Sequence, residues 1–268
     1  MKAMCNFFGI SRAAYYKWVK RCVALDKDTE HMALVRDVWL KSRKTYGYRR
    51  VTISLQQQGH SINHKTVLRL MQRMNIRSVA RKRKPYKKMS QLDIYHRYDN
   101  ILDRDFSATA PNQKWVTDIS YIRTRQGWAY LSTIQDLFDG FIVAHQLGKE
   151  NSICLVKDTL KQAMQKEKVT DGLILHSDQG HQYTSNPYFV LTTAYHIQQS
   201  MSRRGNCWDN APMESFFGHF KEEALRQYPT PTFQEAQEIV DEYIAFYNYE
   251  RIQLKTRQTP FQTRCLSR

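Results

Sequence analysis

The 268-residue chain lacks any apolar run of the ~18 residues that a membrane-spanning helix needs, and no secretory leader opens it. A cytoplasmic protein with no membrane partner is therefore expected. Paired cysteines are also missing: Cys5, Cys22, Cys154, Cys207 and Cys265 are odd in number, scattered, and never in a C-x-x-C pair. Neither a disulfide framework nor a zinc ribbon is expected from such spacing. His60 and His64 have an interval seen in zinc sites, but no cysteine pair follows them. Acidic residues are scarce in one part only. Residues 1–111 hold 24 Lys and Arg against 8 Asp and Glu, residues 112–268 hold 17 of each, and the formal charge of +16 thus sits in the first part. Such an excess implies a polyanionic partner met first by the amino-terminal part. A membrane surface would also attract it, but no basic amphipathic helix with an aromatic face is present.

What is there begins with helix punctuation. Residues 1–22 read as helix, Gly9 turn, Ser11 cap, helix, which is helix-turn-helix spacing with Arg12, Tyr15, Tyr16 and Lys17 open to DNA. An ordinary αα-hairpin has the same local pattern, and the short first helix leaves the module incomplete in this reading. Residues 28–76 read as a second helical unit. Met32, Val35, Val38 and Trp39 have helical spacing, Tyr46 to Arg50 break it, and a second helix runs from about Val51 to Gln57. Asn63 can cap a third with Val67, Leu68, Met71 and Met74 as its apolar face. Tyr48, Arg49, Arg50, His64, Lys65 and Arg69 are the candidate DNA contacts here. Residues 77–111 read as a basic linker, with seven positive and no negative charges over residues 77–88, including Arg81, Lys82, Arg83 and Lys84. Laid against phosphates, such a run releases counterions, so binding should weaken steeply with salt.

From Asn112 the pattern changes to strands. Trp115 to Ile122 is rich in β-branched and aromatic residues and places Asp118 at its centre. Two further strands, Trp128 to Leu137 and Phe141 to Leu147, complete a meander, with Asp136 and Asp139 read as turn formers. A helix over residues 152–166 leads to the apolar run Leu173 to Leu175 and then His176-Ser177-Asp178-Gln179-Gly180, so Asp178 should lie just beyond a strand's carboxyl end, where α/β sheets build sites. A helix from Asn186 to Tyr195 and a strand from Ile197 to Met201 follow. Arg203 and Arg204, beside Gly205, suit a phosphate-facing loop. Cys207 to Lys221 then reads as a helix start: Asp209 or Asn210 as cap, Pro212 and Glu214 in the first turn, and an apolar stripe at Met213, Phe216, Phe217 and Phe220. Lys221 returns to nearly the face of Glu214. Residues 233–250 form an amphipathic helix, and Pro260 opens a last short one.

Each acid alone admits a structural role: a bonded core acid, a turn former, a helix cap. A buried unpaired carboxylate nevertheless costs several kcal/mol unless a cation or donors compensate it. Asp118, Asp178 and Glu214 arriving from a strand centre, a strand end and a helix start would supply a site for Mg²⁺ or Mn²⁺, which prefer carboxylate oxygens and keep positions open for substrate phosphate.

Trp115 to Asp118, His176 to Gly180, and Asn210 to Phe217 with Lys221 together resemble the catalytic signature of bacterial insertion-sequence DDE transposases with a retroviral-integrase-type core. The second-reading-frame product of two-frame elements is the form most alike. The 35 residues between Asp178 and Glu214 match the spacing that names the class. The resemblance covers nearly the whole chain. It implies a ribonuclease H-like catalytic core over residues 112–268, a mixed five-stranded sheet flanked by helices, preceded by small all-α DNA-binding units; spacing alone would allow other α/β arrangements.

That resemblance also implies metal-dependent DNA cleavage and strand transfer on two Mg²⁺ or Mn²⁺ ions held by Asp118, Asp178 and Glu214, with Lys221 near the terminal phosphate. The partners it implies are transposon terminal inverted repeats, target DNA, further copies of the chain, and an upstream-frame product joined by frameshifting. Two rivals stand beside it: a DNA-binding regulator that has lost activity, and a nuclease of the same fold that only hydrolyses. Sixteen tyrosines are present, but none has the Arg/His/Arg setting of a covalent tyrosine recombinase.

Overall fold

A computed structural model describes residues 1–23, 28–78, 96–169, 172–228 and 230–266. It divides into two compact units, Met1–Ser78 and Val79–Arg268. The basic residues Arg81, Lys82, Arg83 and Lys84 lie outside the described residues.

In the first unit, α1 (Lys2–Phe7) and α2 (Arg12–Val23) meet at a turn in which Gly9 takes a φ of +62°, a conformation side chains resist. Ser11 Oγ accepts the Ala14 N–H at 3.1 Å and so caps α2. Helices α3 (Thr29–Lys41), α4 (Tyr48–Gln57) and α5 (His64–Arg73) pack around Val35, Val38, Val51, Leu55, Val67, Leu70 and Met71. Asn63 caps α5 as expected, accepting the Lys65 N–H at 2.8 Å. Two details differ from the sequence reading. Helix α4 starts at Tyr48, because Gly47 alone is extended (φ −83°, ψ 173°) and Tyr48, Arg49 and Arg50 form a first turn whose N–H groups need no helical partner. On α5 the buried stripe is Val67, Leu70 and Met71, while Leu68 faces solvent and Met74 lies beyond the last turn.

The second unit is built on one sheet of order β3-β2-β1-β4-β5. Strands β1 (Lys114–Thr124), β2 (Gly127–Asp136) and β3 (Ile142–Gly148) form the expected antiparallel meander. Strands β4 (Ile174–Ser177) and β5 (Gln198–Met201) extend it in parallel beyond β1. Helices α6 (Ile153–Lys166) and α7 (Asn186–Ala194) bring Val156, Leu160, Ala163 and Tyr188 to a core with Trp115, Val143, Ala144 and Leu175. Helix α8 (Ala211–Glu223) buries Met213, Phe216, Phe217 and Phe220, the stripe its sequence announces. Against them stand the aromatic rings of α9 (Phe233–Tyr249): Phe216 meets Tyr247 edge-on at 4.9 Å, and Phe220 lies 5.3 Å from Tyr243. At its carboxyl end α8 is clamped by Glu223, which accepts two 2.8 Å bonds from Arg251 and one from the Tyr243 hydroxyl.

The last helix, α10 (Pro260–Leu266), sends Arg264 back to Asp136 at 2.9 Å and Asp139 at 3.6 Å. Both aspartates also bond turn N–H groups, Asp136 that of Phe138 and Asp139 that of Phe141, as read from the sequence. Among the described residues no helix is long and apolar enough to cross a membrane.

Candidate active site

Asp118 lies at the middle of β1, opposite Thr133 of antiparallel β2 and two residues beyond Val116, where the parallel register with β4 ends. Its Oδ1 accepts the N–H of Ile119 at 2.7 Å. The side chain keeps some solvent contact but is enclosed by protein, and burial is the largest cause that lifts its pKa to about 8. The charge of Asp178 pushes in the same direction, Glu214 adds to it, and Lys221 opposes it. Residues from β1, from the loop after β4 and from α8 therefore act on one carboxyl group. Long-range pairing of β1 with β4, and packing of α8 on β1, make three distant stretches neighbours.

Asp178 follows β4 directly and is exposed, with its Oδ1 accepting the Gly180 N–H at 2.9 Å. Loss of solvation against the surrounding protein raises its pKa, opposed by that N–H and by the charge of His181. Gly180 leaves room for this bond: a Cβ there would stand 2.9 Å from Asp178 Oδ1 and 3.2 Å from Gln182 Oε1, so the carboxylate would have to shift. Glu214 is exposed in the first turn of α8, and Lys221 is exposed two turns on.

The start of α8 is held differently from the sequence reading. Asn210 occupies the cap position without capping; its amide instead donates to Thr117 O at 3.4 Å, tying α8 to the residue before Asp118. Asp209 is fully buried and is not a cap either. It accepts the Arg203 N–H at 3.0 Å, Arg203 Nε at 2.9 Å and Arg104 Nε at 2.8 Å. Those donors hold its carboxyl well below the ordinary range, Arg203 first among them. Arg203 is thus engaged by Asp209, where the sequence reading gave it to phosphate, and Arg204 beside it is exposed. Buried His176, two residues before Asp178, bonds Ser200 Oγ at 2.8 Å and Ser202 Oγ at 3.0 Å. Burial keeps it neutral, with a pKa near 4. Asp209, Arg104 and His176 were not singled out as site supports; Arg104 and Asp209 are 105 residues apart, and only the motif around Trp208 hinted at them.

Could a divalent cation belong here? Among the described residues no three His, Cys, Asp or Glu side chains are gathered at ligand distance. The donor chemistry nevertheless fits: the charges of Asp178 and Glu214 raise the proton affinity of Asp118, and a hard cation that prefers oxygen ligands relieves such repulsion. Asp136 and Asp139 are instead paired with Arg264 of α10.

In the first unit the candidate contacts gather at two helix starts. Tyr48 and His64 lie 6.3 Å apart by ring centroid, and the Arg49 guanidinium stands 5.7 Å over the Tyr48 ring. Arg49 and Lys65 are exposed and Arg50 is half-buried. Arg69 is paired with Asp28 at 3.0 Å.

Sheet order, flanking helices and the placing of Asp118 define an integrase catalytic core, which is ribonuclease H-like. The integrase core domain family matches residues 108–207 and, in a second description, 195–252; the HTH-like domain family matches residues 26–84. A simian T-cell lymphotropic virus intasome, solved in complex with PP2A regulatory subunit B56 gamma, shares the fold at a TM-score of 0.52. That likeness covers 85% of this chain and 73% of that one at 17% identity. Among curated proteins, the putative transposase InsK for insertion sequence element IS150 of Escherichia coli K12 is 38% identical over 95% of this chain and 90% of its own length. The insertion element IS600 31 kDa protein of Shigella sonnei is 37% identical over 92% of each. The chain belongs to the insertion-sequence transposase family, with an HTH-like domain ahead of an integrase core.

Proposed function

We propose that the protein is the transposase of an insertion sequence, cutting and joining DNA strands by phosphodiester transesterification. The observation that carries this is the action of Asp178, from the loop after β4, and of Glu214 and Lys221, from α8, on the single carboxyl of Asp118 in β1. Asp118, Asp178 and Glu214 are the ligands we assign to Mg²⁺ or Mn²⁺. When bound, such ions activate the attacking oxygen and stabilise the leaving one. Everything else is done by the chain. The acids fix where the scissile phosphate sits, and Lys221 contributes a cation beside it. Asn210 ties the start of α8 to β1, and Asp209 anchors it to Arg104 and Arg203.

In the first reaction a water oxygen bonds phosphorus as the P–O bond at the element's end breaks, leaving a 3′-hydroxyl. In the second, that hydroxyl oxygen bonds a target phosphorus, loses its proton to solvent, and releases a target 3′-oxygen as the new leaving group. Bond number is conserved, so no external energy source is needed. We assign recognition of terminal repeats to the first unit and to the basic residues 81–84, and the joining of two ends to more than one copy of the chain, alone or fused to an upstream-frame product.

The test is labelled end DNA incubated with protein and Mg²⁺. Joined products longer than the input are expected; shortened strands alone would leave a hydrolytic nuclease, and bound but unaltered DNA a regulator.

A further inference from the structure

Beyond the acids, β1 and β2 carry a group of rings that the fold does not use. Tyr121 and Tyr130 are directly opposite across the two strands, and Arg123 and Trp128 form the next same-face pair. Tyr121 is 48% exposed and Trp128 50%, both within strands and not on a loop. Their ring centroids are 6.3 Å apart at 86°, Tyr121 and Tyr130 are 5.1 Å apart at 69°, and the exposed Arg123 guanidinium stands 5.3 Å from the Trp128 ring. Contiguous aromatic surface held open to water on a rigid sheet indicates a binding surface.

Its position is tied to the reaction site. Tyr121 is three residues along β1 from Asp118, about 10 Å at strand rise and on the opposite face by strand alternation, so its tie to the acids runs through the loop after β4. The Tyr121 hydroxyl accepts a bond from Asn151 Nδ2 at 3.1 Å. Gln182 in turn donates to the Asn151 carbonyl at 3.3 Å and to its side-chain oxygen. Gln182 belongs to the loop that presents Asp178, so the rings are bonded to one wall of the acid site. After burial and Tyr130, the charges of Asp178 and Asp118 push the Tyr121 hydroxyl further above its ordinary range, as expected of neighbours.

The chemistry selects the occupant. Of the four side chains only Arg123 is charged, and without a bound cation the nearby acids repel phosphate, so a nucleic acid held here is held largely by something other than charge. Ring faces provide that by stacking, and a planar guanidinium beside Trp128 adds a second surface of the same kind. An intact duplex hides its base faces and offers only edges and backbone. A second copy of the chain would also cover apolar surface, but Arg123 and the acidic rim favour a polar partner with flat faces. We infer that Tyr121, Trp128 and Tyr130, flanked by Arg123, form a stacking platform for unpaired bases of the DNA strand next to the acids. The inference rests on the proposed function only in taking DNA as the ligand, and it implies that base pairs beside the reacting phosphate are held open.

The test compares the full chain with Tyr121→Ala and Trp128→Ala, both at exposed positions, and with Tyr121→Phe and Trp128→Phe, which keep a ring. Fluorescence anisotropy is read on a short oligo-thymidylate and on a duplex of equal length, without divalent ions. Each alanine variant should bind the single strand about five- to hundredfold more weakly, the range for losing one stacked base, with duplex affinity unchanged; each phenylalanine variant should recover most of the loss. Equal losses on both DNAs, or none on the single strand, would overturn the platform. So would unchanged DNA binding with a shift in sedimentation mass, which would make the rings a contact between copies. Because no joining is required, Asp118→Asn protein should show the same strand preference, and failure of the joining assay leaves this result readable on its own.

Discussion

Removing the cation from the clamp at the end of α8 should expose how firmly the Glu214 helix is held. Arg251 is 1% and Glu223 6% exposed, and the two share a pair of 2.8 Å bonds. In Arg251→Met the carboxylate keeps the Tyr243 hydroxyl and His219, whose Nδ1 stands 3.7 Å away, but loses both guanidinium bonds. Breaking one side of a buried pair costs about 3–5 kcal/mol, because the remaining charge is left without compensation. For a unit the size of residues 79–268, each kcal/mol lowers Tm by about 2–4 °C, so a drop of roughly 6–20 °C is expected by calorimetry. The sign of the pH dependence is fixed as well. Burial pushes the Glu223 carboxyl up, but the bonds and charge of Arg251 outweigh it and hold the pKa below the ordinary value. In the parent chain this stabilisation is complete above the ordinary carboxylate pKa and fades as pH falls through the lowered folded value. Without Arg251 the folded pKa rises instead, so the variant's deficit should be largest at pH 7 and shrink toward pH 4. Glu223→Leu combined with Arg251→Met should recover most of the stability. A loss below about 1 kcal/mol at pH 7, or a deficit that grows on acidification, would refute the reasoning.

Gly180→Ala places a methyl 2.9 Å from Asp178 Oδ1, so joining should fall at least about tenfold while Tm moves by only a few degrees; unchanged joining would show that the loop yields freely. His176 is kept neutral by burial with a pKa near 4, against 6.5 ordinarily, so stability should fall as pH drops from 6.5 toward 4. In urea unfolding at pH 4.5, His176→Gln should lack about 2.5 kcal/mol of that fall; identical pH profiles would exclude a buried neutral histidine. In the first unit, Arg49→Ala and Lys65→Ala should weaken end-DNA binding and reduce the salt slope by about one each, as lost phosphate contacts do. An unchanged slope would remove them from the interface.

Local periodicity announced the elements that carry the acids. The apolar stripe of α8, the β-branched run around Asp118 and the short strand before Asp178 are legible because each burial pattern repeats within a few residues. Long-range ties were not. Arg104 meets Asp209 across 105 residues and Arg264 meets Asp136 across 128, with no local signature for either pair. Arg203 shows the consequence: its neighbours suggested a phosphate loop, yet its guanidinium is turned to a buried carboxylate that reads, in sequence, as a helix cap. Tyr48 was read as a break because Gly47 precedes it, whereas the glycine only marks the boundary. The carboxylates were expected to share one pocket; they share an electrostatic environment without standing at ligand distance.

The most direct measurement is strand joining on the element's own ends with Mg²⁺, using Asp118→Asn, Asp178→Asn and Glu214→Gln one at a time, alongside end binding and Tm. The account predicts that each variant binds ends and folds as the parent does, and that none cuts or joins. Near-parental joining by any one of them would contradict the three-acid site.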